Sequence, residues 1–310
     1  MKITRFCPAK INLFLEVTGK LPNGYHELAT LFAKINLGDT LAVEATRATK
    51  TAISLTLTGP IANGLQADSS NLVWRAAQIF LDFFDIKANV HLTLDKHIPA
   101  GAGLGGGSSD AAGVFLALSE LFQKDARLLL PAAAKLGADV PLFMYPDTFL
   151  KGEGIGEKLT PVPAKGPLPW LVLVYPNTPV PTKGIFARLT LPSRQDVLTN
   201  ISKLDRLISA VESGASFATW KDLLFNRLEE CVIPFTQAVK STWCDLRQAH
   251  KDGVLMSGSG STVFALAETE QAAQKLARQL ENSQRTCFVT HFLEKPIPDE
   301  NNRDPHPLNE

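Results

Sequence analysis

Three shortages bound what this chain of 310 residues can be. It has no net charge. Lys plus Arg and Asp plus Glu both total 31, so bulk charge offers no basis for holding nucleic acid or another polyanion. It has few cysteines: Cys7, Cys231, Cys244 and Cys287 are scattered, with no CxxC spacing. Disulfides and a zinc site are therefore both poorly supported, and buried reduced thiols are the expectation. It has no apolar run long enough for a transmembrane helix. The first residues, Met1 to Cys7, read as the start of a strand and carry no signal-peptide pattern. The expectation is a soluble cytoplasmic protein, monomer or homodimer, with no nucleic-acid and no membrane partner.

Glycine is abundant in one place. In Pro99-Ala100-Gly101-Ala102-Gly103-Leu104-Gly105-Gly106-Gly107-Ser108-Ser109-Asp110-Ala111-Ala112, five glycines fall within seven positions. Two hydroxyls follow, and then an apolar segment, 111–122, that reads as a helix. Backbone without side chains can close its N–H groups around an anion, and a helix N-terminus adds unpaired donors and a positive dipole end. Ser108 or Ser109 can cap that helix, or turn an oxygen toward a phosphate or Mg2+. The pattern suits a nucleotide polyphosphate. No Lys follows the glycines, which excludes the GxxxxGK[ST] loop. Gly101, Gly103 and Gly106 fit GxGxxG by letter, but the following segment, 127–136, reads as helical and no second strand ends in a ribose-binding acid. A protein-kinase site is excluded by the absence of Val-Ala-Ile-Lys and His-Arg-Asp.

Alternation predicts strands over 11–17, 53–57 and 90–94, and helical spacing predicts a helix over 71–84. A Gly/Pro-rich stretch from Gly152 to Pro169 reads as a domain boundary. Beyond it, 197–211, 220–230, 235–250 and 270–280 read as helices, and 170–175, 253–256, 262–266 and 286–292 as strands. The division expected is 1–165, 166–293 and a polar, Pro/Asn-rich tail, 294–310, expected to be disordered.

Three blocks together resemble the GHMP kinases, the galacto-, homoserine, mevalonate and phosphomevalonate kinases. They are Pro8-Ala9-Lys10-Ile11-Asn12-Leu13, the glycine run, and Met256-Ser257-Gly258-Ser259-Gly260-Ser261-Thr262-Val263-Phe264. Two more blocks, Asn23-Gly24-Tyr25-His26-Glu27-Leu28 and Leu136-Gly137-Ala138-Asp139-Val140-Pro141-Leu142-Phe143, are similar to the branch of that family acting on 4-diphosphocytidyl-2-C-methyl-D-erythritol, on the methylerythritol phosphate route to isoprenoids. The resemblance runs from about Phe6 to Phe292. It implies an α+β fold of two domains, ribosomal protein S5 domain 2-like and then ferredoxin-like, with ATP in the cleft between them.

The same resemblance implies roles. Asp139 would be the base for the substrate hydroxyl, with Lys10 beside it. An ammonium favours the ionised carboxylate, and a positioned carboxylate can accept the proton as the hydroxyl attacks. Residues 99–109 and Asn71 would hold ATP, with Ser109 the expected contact for Mg2+. Tyr25 and His26 would hold cytidine, Phe186 would close a stacking sandwich four residues after Thr182, and Asn12 would meet the polyol or diphosphate. Rival readings are another small-molecule kinase of this family, or an inactive nucleotide-binding regulator. One departure stands out: Asn226-Arg227-Leu228-Glu229 has Arg where the family commonly has Asp. On a surface helix that would alter only surface pairing.

Overall fold

The computed structural model describes residues 1–181 and 184–294. Thr182 and residues 295–310 of the expected tail lie outside the described residues.

The chain runs β1 (Lys2–Lys20), β2 (His26–Arg47), β3 (Ala52–Thr58), α1 (Leu72–Phe83), β4 (Ala88–Asp95), α2 (Gly106–Phe122), α3 (Leu130–Leu136), α4 (Val140–Met144), β5 (Phe149–Glu153), β6 (Lys158–Val162) and β7 (Trp170–Tyr175). It continues through α5 (Arg194–Ser213), α6 (Phe217–Trp220), β8 (Phe225–Asn226), α7 (Glu229–Val232), α8 (Gln237–Ala249), β9 (Leu255–Met256), β10 (Val263–Ala267), α9 (Glu270–Leu280) and β11 (Thr286–Thr290). Among the described residues the strands form a seven-stranded sheet, β3-β4-β2-β1-β8 with the β5–β6 hairpin on β2, and a four-stranded antiparallel sheet, β11-β7-β10-β9.

The long antiparallel pair β1–β2 is the spine. It bulges between Pro8 and Ala9, between Asn12 and Phe14 and between Val17 and Gly19. Bulges bend a strand and increase its twist. Both faces of the middle of β1 are covered, one by α2 and the other by α5, and residues 9–17 are buried throughout. A strand covered on both faces can hold a polar side chain only if that side chain is partnered. Lys10, Asn12 and Glu16 are the three such residues, and each has partners, described below.

Two expectations from the sequence are overturned, and β2 (His26–Arg47), the longest of the described strands, is not among those the sequence predicts. The segment 220–230 is not one helix. It breaks at Leu224, and Phe225 and Asn226 form β8, parallel to Phe14 and Leu15 of β1. The Gly/Pro-rich stretch is also not all linker: β5 and β6 fold back onto β2. Apolar spacing and turn residues are local signals, and both elements are made by distant partners.

Candidate active site

A cleft of about 1240 Å³ has one wall from β1, β2 and the glycine loop and another from Phe186, Leu228, Gly258 and Ser259. Lys10, Asn12, Tyr25, His26, Asn71, every residue from Pro99 to Ser108, Asp139 and Phe186 all line it. Ser109 is the exception. Its hydroxyl is buried and finds no partner among the described residues, and the hydroxyl facing the cleft is that of Ser108. Both serines sit inside the first turn of α2, so neither caps it. Gly105 is the cap residue, in the left-handed conformation at φ +73°, with no side-chain cap bond. Ser109 N–H is the first to close onto the helix, at Gly105 O (2.9 Å). The N–H groups of Gly106, Gly107 and Ser108 therefore stand at the open end of a 17-residue helix, a ready anion site.

Two glycines of the loop are required by the protein itself. A Cβ on Gly103 (φ +76°) would lie 2.2 Å from Ser257 O, and one on Gly105 would lie 2.9 Å from the Phe143 ring and 3.1 Å from the Lys10 stem. Beneath the loop lies a buried ionic cluster. Lys96 Nζ donates to Asp39 and to Asp110 (2.7 Å), and Asp39 Oδ1 accepts from His97 N (2.5 Å) and Ile98 N (2.8 Å). It ties the residues before the loop to the helix after it. Burial pushes the Asp110 carboxyl up from its ordinary value, opposed by the Lys96 charge and aided by that of Asp39. Asn71 caps α1, accepting from Val73 N (3.0 Å), so its side chain is committed to that helix while lining the cleft.

At the centre, Lys10 Nζ lies 3.5 Å from Asp139 Oδ2 and donates to Asn12 Oδ1 (2.9 Å). Asn12 Nδ2 donates to Thr30 Oγ1 (2.8 Å), whose hydroxyl donates to Phe14 O (2.5 Å). The lysine is thus held from below by β1 and β2. Asp139 precedes α4 without capping it, and its side chain is one-third exposed (33%), against 6% for Lys10. It is the reachable member of the pair.

At the far end the His26 and Phe186 rings stack, centroids 5.1 Å apart at 24°. Tyr25 stands beside them, 59% exposed. The aromatic partner of Phe186 here is therefore His26. Burial, and then Lys20, push the His26 imidazole down from its ordinary value, which favours the neutral ring.

The Asn226-Arg227 departure is not a surface feature. Arg227 forks onto the fully buried carboxylate of Glu16, with Nε to Oε1 and Nη2 to Oε2 both at 2.8 Å. Asn226, Glu229, Leu228, Gly258 and the buried ionic cluster were not among the expected site residues. The sequence shows Glu16 only as one acid in an apolar strand; its burial, which calls for a cation, appears only in the fold.

The family model described as GHMP kinases N terminal domain matches residues 71–147, and that for GHMP kinases C terminal matches 207–285. A 4-diphosphocytidyl-2-C-methyl-D-erythritol kinase of Lachnoclostridium phytofermentans is 36% identical over 92% of this chain and 96% of its own length. One of Burkholderia multivorans is 38% identical over 94% of each. A crystal structure of 4-(cytidine 5'-diphospho)-2C-methyl-D-erythritol kinase superposes with a TM-score of 0.73 at 33% identity, covering 94% of this chain and 99% of that one. A homoserine kinase from Cytophaga hutchinsonii superposes at 0.74 with 18% identity, a likeness of fold alone. Two GHMP domains in an α+β fold and relatives above 35% identity over nearly the whole length lead to one conclusion: the chain belongs to the 4-diphosphocytidyl-2-C-methyl-D-erythritol kinase family, a branch of the ATP-dependent GHMP kinases.

Proposed function

We propose that this protein transfers the γ-phosphate of ATP to the 2-hydroxyl of 4-diphosphocytidyl-2-C-methyl-D-erythritol, in the cytoplasm, on the methylerythritol phosphate route to isoprenoids. The observation that carries this reading is the Lys10–Asp139 pair, set in one cleft with the open N-terminus of α2 and with the His26–Phe186 stack. The polyphosphate of ATP rests on the Gly106, Gly107 and Ser108 N–H groups, and cytidine rests on Tyr25, His26 and Phe186. The 2-hydroxyl then lies at Asp139. As its oxygen attacks the γ-phosphorus, its proton passes to the Asp139 carboxylate and ADP leaves. Lys10 offsets the charge of the carboxylate and of the developing alkoxide. Phosphoryl transfer depends chiefly on such positioning and charge neutralisation.

The oxygen donors lining the cleft include the Ser108 hydroxyl and the carboxylates of Asp110 and Asp139, and Asp110 is already bound to Lys96 through Oδ2. Among the described residues no group of three or more His, Cys, Asp or Glu is placed to hold a metal. That donor set fits Mg2+, which takes only one or two protein ligands and keeps phosphate oxygens and water. When bound, the ion neutralises charge on the phosphates. Residues 1–165 supply the glycine loop and the acid–lysine pair, and 166–293 supply the opposite wall and β8.

The test compares the full substrate with 2-C-methyl-D-erythritol 4-phosphate, which lacks the cytidylyl group. ATP turnover with the first at a kcat/KM at least a hundredfold higher supports the reading, and equal values would leave no cytidine pocket. Tyr25→Ala is expected to weaken binding of the full substrate by about 1–3 kcal/mol, the range for a base stacked on an aromatic ring, with kcat little changed.

A further inference from the structure

The geometry assigns to Asn226 the role of a positioning residue for phosphoryl transfer: its buried amide holds the turn of residues 257–260 against Lys10, Asn12 and the glycine loop.

The turn, Ser257-Gly258-Ser259-Gly260, has no bulky side chain to anchor it. Its anchors come from outside. Asn226 Nδ2 donates to Met256 O (2.7 Å) and Gly258 O (2.8 Å), and its Oδ1 accepts from Leu228 N (2.9 Å). Glu229 Oε1 accepts from Met256 N (2.8 Å). On its other side the turn meets the site. Ser257 Oγ donates to Gly103 O (3.0 Å), and Thr262 N donates to Ala102 O (3.1 Å). Gly258 comes so close to the central pair that a Cβ there would stand 3.1 Å from Lys10 Nζ and 3.2 Å from Asn12 Oδ1.

The frame is closed by one strand. Asn226 lies on β8, a strand of only two residues, paired with Phe14 and Leu15 of β1. The next residue bonds Leu15 O through its backbone (2.8 Å) and Glu16 through its guanidinium. The strand that carries Lys10 and Asn12 thus also sets Asn226, and Asn226 sets the turn that packs back on Lys10 and Asn12. Position 226 faces two carbonyl oxygens at once, which calls for two N–H donors on one short side chain. Asn supplies them, whereas an ionised carboxylate only accepts. Without them two buried carbonyls lose their partners and the turn is free to move.

The direct test is Asn226→Asp, equal in size and reversed in hydrogen bonding. The charged and titratable groups around position 226 are Glu229 and Glu230 on α7, Lys203 on α5, Lys221 and Asp222 before β8, Arg247 on α8 and Lys251 after it, Glu16 and Lys10 on β1, Arg227 beside β8, and Asp139 before α4. All are present in both proteins, so the ratio of variant to wild type reports the new carboxyl together with its coupling to Glu229, whose own carboxyl is pushed up to about 6 by burial. At pH 8 the variant is expected to lose at least tenfold in kcat and to raise the KM for ATP, while the KM for the cytidylylated alcohol stays within twofold. The kcat ratio should recover as the pH falls toward 6, because a protonated carboxyl regains one donor. Asn226→Ser keeps one donor and carries the test if the first variant does not fold. Its kcat should fall by less, with a ratio independent of pH. Amide hydrogen exchange over 257–262, measured on the free protein, should quicken at least tenfold in either variant and needs no substrate. Exchange unchanged at 257–262, or kcat loss that only tracks the folded fraction with no pH rescue, would overturn the assignment. A wild type that ignores the cytidylylated alcohol would instead count against the proposed function, and the exchange result would stand.

Discussion

Replacing Arg227 with methionine tests whether the buried fork at Glu16 is a structural necessity of this chain. Glu16 is fully buried and accepts four hydrogen bonds, from Val17 N (2.8 Å), Asn200 Nδ2 (2.5 Å) and the two guanidinium nitrogens. Arg227→Met removes two of the four together with the cation. Removing one partner of a buried pair costs roughly 3–5 kcal/mol, because the remaining charge is left uncompensated out of water. Val17 and Asn200 still solvate the carboxylate, and the arginine side chain is 12% exposed, so the lower end applies, about 3 kcal/mol. In a chain of this size a melting midpoint moves by roughly 2 °C per kcal/mol, which gives a drop of about 6 °C. The assay is a thermal melt followed by circular dichroism at pH 7.5. The double variant Glu16→Gln/Arg227→Met removes the orphaned charge and should regain more than half of the loss. Arg227→Asp, which restores the acid common in the resembled family, sets a second carboxylate against Glu16 and should melt lower than the methionine variant. A shift under 2 °C for Arg227→Met, or no recovery in the double variant, would refute the reasoning.

Asp139→Asn keeps the shape of the side chain and removes the proton acceptor. It is expected to lower kcat by about 10²-fold or more, with ATP and substrate still bound in calorimetry. Gly103→Ala and Gly107→Ala should differ in sign. The first meets a left-handed backbone penalty of about 1–2 kcal/mol and a carbonyl oxygen at 2.2 Å, so it should melt lower. The second finds only Leu72 at 3.4 Å, an ordinary contact, and inside a helix should gain about 0.5–1 kcal/mol in the same melts. Glu229 is pushed up to about 6 by burial, from 4.5. Its folded state prefers the neutral carboxyl, so the stability it contributes is whole below pH 4.5 and is lost as the pH rises through 6. Glu229→Gln, still able to accept from Met256 N, should therefore be more stable than wild type by about 1–2 kcal/mol above pH 7, and the gap should close below pH 4.5 in denaturant titrations.

Several features were legible in residues alone because their causes are local. Leu72, Ala76, Ile79, Phe80 and Phe83 carry helical spacing and α1 forms where that spacing predicts, although the face it buries runs through Val73, Ala76, Ala77, Phe80 and Leu81 and leaves Phe83 exposed. The glycine run before an apolar segment could only be a loop entering a helix, and the order of the five motif blocks identified the family. What the sequence could not place was the outcome of pairing across long stretches of chain. Trp220, Leu223, Leu224, Leu228 and Cys231 carry helical spacing, yet residues 225–226 become a strand because β1, some 210 positions earlier, offers an open edge. Which of the two hydroxyls faces the cleft was decided by the rotation of α2 against the sheet, which buries Ser109 and turns Ser108 to the cleft. Phe186 found His26, and Arg227 found a carboxylate that the sequence shows only as one acid in an apolar strand. Helix periodicity and turn chemistry are written within a few residues, while burial of a charge, the facing of a hydroxyl and the partner of a ring depend on which surfaces the folded chain brings together.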